Sequence, residues 1–111
     1  MPRPKAEPTV LIDNERVVVT RWSFAAGAET GWHRHGHDYV VVPLEDGKLI
    51  LEEPGGGTRE AVLENGIPYF RHEGVEHNVI NGSGRAYAFL EIEIKRSSQP
   101  RGPASDQTGS G

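Results

Sequence analysis

Three of the chain's five histidines fall within Gly31-Trp32-His33-Arg34-His35-Gly36-His37-Asp38-Tyr39, and a fourth, His77, lies in Glu73-Gly74-Val75-Glu76-His77-Asn78. Neutral imidazole is a common ligand for divalent transition metals. On a β-strand successive side chains alternate faces, so a strand over 33–43 turns His33, His35 and Tyr39 to one side. Two histidines at i and i+2 can then hold one ion, and a third from a distant strand completes a facial set. His37 has the same parity but falls at the expected loop-to-strand bend, so it ranks behind them as a ligand. The fifth histidine, His72, reads as a turn or rim residue. A His-x-His pair alone also suits a solvated strand surface, so the distant His77 matters to the argument.

The elements that must position these residues read as strands. Runs over 9–12, 16–24, 33–44, 48–52, 58–63, 67–70, 77–80 and 85–95 are rich in β-branched and aromatic residues. Turn residues separate them: Asp13-Asn14, Asp46-Gly47, Pro54-Gly55-Gly56-Gly57, Glu64-Asn65-Gly66, Glu73-Gly74 and Asn81-Gly82-Ser83-Gly84. Asp46-Gly47 is the signature of a two-residue hairpin, which predicts that 48–52 pairs with 33–44. No stretch has helical periodicity. The pattern predicts an all-β sandwich or closed barrel. Trp32, Tyr69, Phe70 and Phe89 are expected in its core. Glu91 and Glu93 are expected on a solvated face, and Arg34 and Arg71 in solvent or at an interface.

Composition narrows the function classes. The 111 residues suit one domain. A formal net charge of −4 and the lack of any basic run argue against nucleic acid and against an anionic membrane surface. With no cysteine, disulfides, thiolate ligands and a cysteine nucleophile are excluded. No apolar run approaches the ~20 residues that span a bilayer, and residues 1–8 lack the apolar centre of a signal peptide. A cytoplasmic location is the expectation. Residues 1–8, with three prolines, read as a flexible arm, 9–95 as the domain, and 96–111 as a disordered tail.

Two motifs resemble those of the cupin superfamily. Gly27, five residues, His33-x-His35 matches the first; Gly66, Gly74, His77 and Asn81 match the second at every spacing, with His72 where the family usually has proline. The resemblance implies a double-stranded β-helix, or jelly-roll barrel, holding one divalent metal on His33, His35 and His77. The family's fourth ligand, a glutamate, is missing. Its place falls on Tyr39 or Val40, and strand parity favours Tyr39, as a further ligand or as a proton donor or acceptor. All-nitrogen ligation suits iron, zinc, nickel, copper or manganese without choosing among them.

Segments 11–17, 31–35 and 74–81 also resemble small single-domain cupins assigned to β-alanine degradation. That likeness implies a metal-dependent enzyme acting on a small carboxylate or oxo-acid, by dioxygenase, isomerase or lyase chemistry. The other reading is a non-catalytic cupin that binds metal and a small ligand as a sensor or accessory protein. The family likeness further implies a homodimer through an edge strand.

Overall fold

The computed structural model describes residues 2–96. Its nine strands are β1 (Glu7–Asp13), β2 (Val17–Phe24), β3 (His33–Arg34), β4 (Asp38–Pro43), β5 (Gly47–Glu52), β6 (Thr58–Leu63), β7 (Tyr69–Arg71), β8 (Glu76–Asn81) and β9 (Tyr87–Ile94). Two antiparallel sheets form, one in the order β1-β2-β9-β4-β7 and the other β3-β8-β5-β6. After β2 the chain alternates between them, with only β5 and β6 consecutive in one sheet. That alternation winds the sheets into a double-stranded β-helix. Among the described residues no helix is long and apolar enough to cross a membrane.

The period-2 pattern decides which side chains meet inside. In β4, Tyr39, Val41 and Pro43 are buried while Asp38, Val40 and Val42 are half-covered. In β9, Tyr87, Phe89 and Glu91 share the inner face, and in β2 Thr20, Trp22 and Phe24 do. Phe24, Leu49, Leu51, Leu63, Val79, Tyr87 and Phe89 form the apolar core. Full burial of a side chain such as Leu49 contributes about 1.5–3 kcal/mol.

Four expectations need correction. First, 33–44 is not one strand. His33 and Arg34 pair with β8, whereas Asp38 to Pro43 pair with β7 and β9 in the other sheet. His35 is still tied to the second sheet, its N–H donating to Val75 O (2.9 Å) and its carbonyl accepting from Gly74 N–H (2.8 Å). The chain therefore bends over 35–37. Second, Asp46-Gly47 makes a corner between sheets, since β5 pairs with β6 and β8 and not with β4. Glycine is needed there for a close approach: a Cβ on Gly47 would lie 2.4 Å from Tyr87 Cε1.

Third, the N-terminal segment is engaged. Glu7 and Pro8 belong to β1, opposite Ser23 and Trp22. Ala6 is buried, its N–H donates to Glu29 O (2.8 Å), and Glu29 N–H donates to Pro4 O (2.9 Å). Arg3 adds an ion pair to Glu29 at 2.9 Å. Polar composition misleads here because backbone pairing holds the segment, helped by the one buried side chain of Ala6 and the Arg3 ion pair. Fourth, Trp32 and Phe70 are about half exposed, at 53% and 48%. Trp32 precedes β3, and Phe70 points outward between inward-facing Tyr69 and Arg71. Phe89 is buried and Tyr69 half-buried. Of the tail expected over 96–111, Arg96 is described and pairs with Glu73, and 97–111 lie outside the described residues.

Candidate metal centre

His33 and His77 stand directly opposite each other in the β3–β8 ladder, so their rings share a face. His35, two residues on, swings in at the bend. His33 Nε2 and His35 Nε2 are 3.1 Å apart, and His35 Nε2 and His77 Nε2 are 3.2 Å apart. Gly74 sets the second approach. Its φ of +94° is open to glycine and strained for other residues, and it turns the chain into β8 three residues before His77. Asn81 fixes the far end of β8, donating through Nδ2 to Ala25 O (3.1 Å) and Arg85 O (2.7 Å).

Each of two rings is oriented through its other nitrogen. His33 Nδ1–H donates to Gly31 O at 2.8 Å. Gly31 is itself held by its N–H donating to Asn78 Oδ1 (2.9 Å), and Asn78 Nδ2 donates to Glu29 Oε1 (2.9 Å) and Glu52 Oε1 (2.8 Å). His35 Nδ1 lies 3.3 Å from Glu91 Oε2. The other carboxylate oxygen, Oε1, accepts from Trp22 Nε1–H at 2.7 Å.

Burial sets the protonation states. It lowers the pKa of His35 to about 4, with help from the neighbouring His33 and Arg71. It lowers that of His77 to about 3, again with His33, His35 and the two arginines 71 and 59 acting in the same direction. Burial pushes Glu91 up to about 7, against the Trp22 hydrogen bond that lowers it and with the nearby Glu93 that raises it. With His35 neutral, the 3.3 Å contact to Glu91 is not an ion pair. Burial also raises the Tyr39 phenol well above its ordinary value, which keeps it protonated. Its ring stacks on His35 with centroids 3.8 Å apart and an interplanar angle of 19°.

These contacts test whether a cation fits. A carbonyl only accepts, so the His33 proton is on Nδ1 and its Nε2 carries a lone pair. With Glu91 ionised the same holds for His35. Two lone pairs at 3.1 Å repel unless a cation lies between them. Three nitrogens bound to one zinc-sized ion at 2.0–2.1 Å would be about 3 Å apart, near the observed spacing. The donor set fits a divalent transition metal. One ring nitrogen from each of the three lies within 4.8 Å of the other two.

The imidazoles line a narrow pocket whose walls include Trp22, Tyr39, Val41, Leu49, Tyr69 and Arg71. His37 is half-buried but lies outside the convergent set. His72 is solvent-exposed, 3.9 Å from Asp38 Oδ1. Glu91 departs from the expected solvated face; its neighbours of like parity, Tyr87 and Phe89, were the signal that β9 turns this side inward. Trp22 and Asn78 carried no motif at all.

A double-stranded β-helix with a histidine cluster facing its interior is the architecture of a cupin. The chain belongs to the cupin superfamily. A cupin domain from Bordetella pertussis Tohama I, known from its crystal structure, is 59% identical and superposes with a TM-score of 0.83 over 86% of this chain and 99% of that one. The Beta-alanine degradation protein BauB of Pseudomonas aeruginosa PAO1 is 63% identical over 93 residues, covering 84% of this chain and 97% of BauB. A cupin superfamily protein from Desulfitobacterium hafniense DCB-2 shares the fold at 14% identity, with a TM-score of 0.66 over 86% of this chain and 83% of that one. No protein-family model matches the chain.

Proposed function

We propose that this chain is a metal-dependent enzyme acting on a small carboxylate or oxo-acid in β-alanine catabolism. The observation that carries the reading is the meeting of three Nε2 atoms at the floor of one pocket. His33, His35 and His77 would hold one ion of iron, zinc, nickel, copper or manganese. Bound there, such an ion supplies Lewis acidity and open positions for water or a ligand oxygen.

The chain's own groups have distinct tasks. Gly31 and Glu91 hold the protons of His33 and His35 on Nδ1, leaving both Nε2 lone pairs free. Trp22, Val41 and Leu49 exclude water from one side of the pocket. Burial keeps the phenol of Tyr39 protonated, so it can donate a hydrogen bond to an oxygen of the ligand; by its place in the pocket it is the residue we assign to the proton-donor role. The catabolic theme comes from the name of BauB, supported by identity along nearly all of that protein.

The test is incubation of protein loaded with each candidate metal with β-alanine and with the three-carbon oxo-acid left by its deamination. Product is followed by NMR together with oxygen consumption. Metal-dependent product formation supports the enzyme. Ligand binding with no product under any metal replaces it with the sensor or accessory reading.

A further inference from the structure

We propose that Arg71 is the anion-binding residue of this pocket, so that the ligand is a small monocarboxylate held by its charged end. This rests on the pocket assigned above but on a residue outside the histidine cluster. Tyr69 and Arg71 are the inward-facing residues of β7, and Arg71 stands directly across the ladder from Tyr39. The guanidinium lines the same pocket as the imidazoles.

Among the described residues Arg71 is the one arginine that is half-buried; the others are exposed. It makes no ion pair and no side-chain hydrogen bond with any described residue, whereas Arg3, Arg59 and Arg96 are paired with carboxylates. Two carboxylates share its side of the sheet, and neither pairs with it: Glu91 has one oxygen committed to Trp22 and the other facing His35, and Glu93 lies across Tyr39 from Arg71 without an ion pair to it. A half-covered guanidinium with no counter-charge is costly. A carboxylate offsets that cost through two parallel N–H···O bonds. The accessible walls are otherwise largely apolar, and the pocket is narrow, which limits the ligand to a small molecule.

The test is calorimetric titration of acetate, propionate and butyrate, each against its neutral amide, into the full chain with and without Zn²⁺. At least one acid should bind about 10- to 100-fold more tightly than its amide, the range for a charge-assisted pair. Arg71→Met should abolish the preference, and Arg71→Lys should retain only part of it, since an ammonium lacks the fork. Absence of any acid preference in the parent protein overturns the proposal. So does a preference that survives in Arg71→Met, or, if that variant does not fold, one left intact in Arg71→Lys. Zn²⁺ content of the same samples separates the two readings. An Arg71-dependent preference in protein that takes up no metal defeats the metal centre alone. Metal uptake with no dependence on Arg71 defeats this proposal alone.

Discussion

Glu91→Gln separates a residue that positions a ligand from one that merely packs. In the parent chain Glu91 Oε2 faces His35 Nδ1 at 3.3 Å, and the ionised carboxylate favours the tautomer with Nε2 bare. Trp22 Nε1–H fixes which oxygen it meets, so a glutamine of the same shape turns its amide NH₂ toward His35. An NH₂ group only donates, so Nδ1 must become the acceptor and the proton moves to Nε2, where the ion should bind. Losing such an outer partner typically costs 10- to 100-fold in metal affinity, or about 1.4–2.7 kcal/mol. The metal-free protein should respond in the opposite sense. Glu91 is raised from 4.5 to about 7, so the folded state holds a proton that the unfolded state has already lost across that window. Stability from this group therefore falls as pH rises from 4.5 to 7, and the penalty is complete above 7. Its size is at most about 3 kcal/mol. Glutamine has no charge to bury, so the metal-free variant should match or exceed the parent above pH 7 and lose that advantage below 4.5. Zn²⁺ competition against a chromophoric chelator reads the first effect, and urea melts in EDTA read the second. Unchanged Zn²⁺ affinity in Glu91→Gln, or a metal-free variant weaker than the parent above pH 7, would refute the reasoning.

Acid should destabilise the metal-free protein through His35 and His77. Their folded pKa values, about 4 and 3, lie below the unfolded 6.5, so stability is full above 6.5 and declines as pH falls toward 4; urea midpoints over that range check it. Gly47→Ala should cost about 1–3 kcal/mol, because the new methyl meets the Tyr87 ring, which is buried and cannot move aside freely; thermal melting measures it. The outer edge of β1 carries Val10, Leu11 and Ile12, all about half exposed. We expect copies of the chain to pair through it. Light scattering should give a dimer mass, and Leu11→Lys should shift it toward the monomer.

The strands were legible because turn residues punctuate runs of β-branched residues, as at Asp13-Asn14 before β2 and Pro54 to Gly57 before β6. The histidine set was legible because two motifs fix its spacing. What period-2 parity could not show was the sheet to which a strand belongs. Parity along 33–43 assumed an unbroken strand, yet β3 and β4 lie in different sheets and the rings meet across a bend. The same limit turned the Asp46-Gly47 corner into an apparent hairpin. Glu91 and Arg71 were missed for a related reason: charge argues for solvent, and only the aromatic residues of like parity beside them, Phe89 and Tyr69, argue otherwise. The N-terminal pairing left little side-chain signature, since most of it is made by the backbone of residues 4 to 8.

The most direct test of the central claim is anomalous diffraction at metal absorption edges from crystals of tag-free protein, with metal content measured on the same preparation. The account predicts one transition-metal ion per chain, bonded to Nε2 of His33, His35 and His77 beside the pocket. A metal-free protein that takes up no ion on soaking, or an ion bound elsewhere with these three rings uncoordinated, would contradict it.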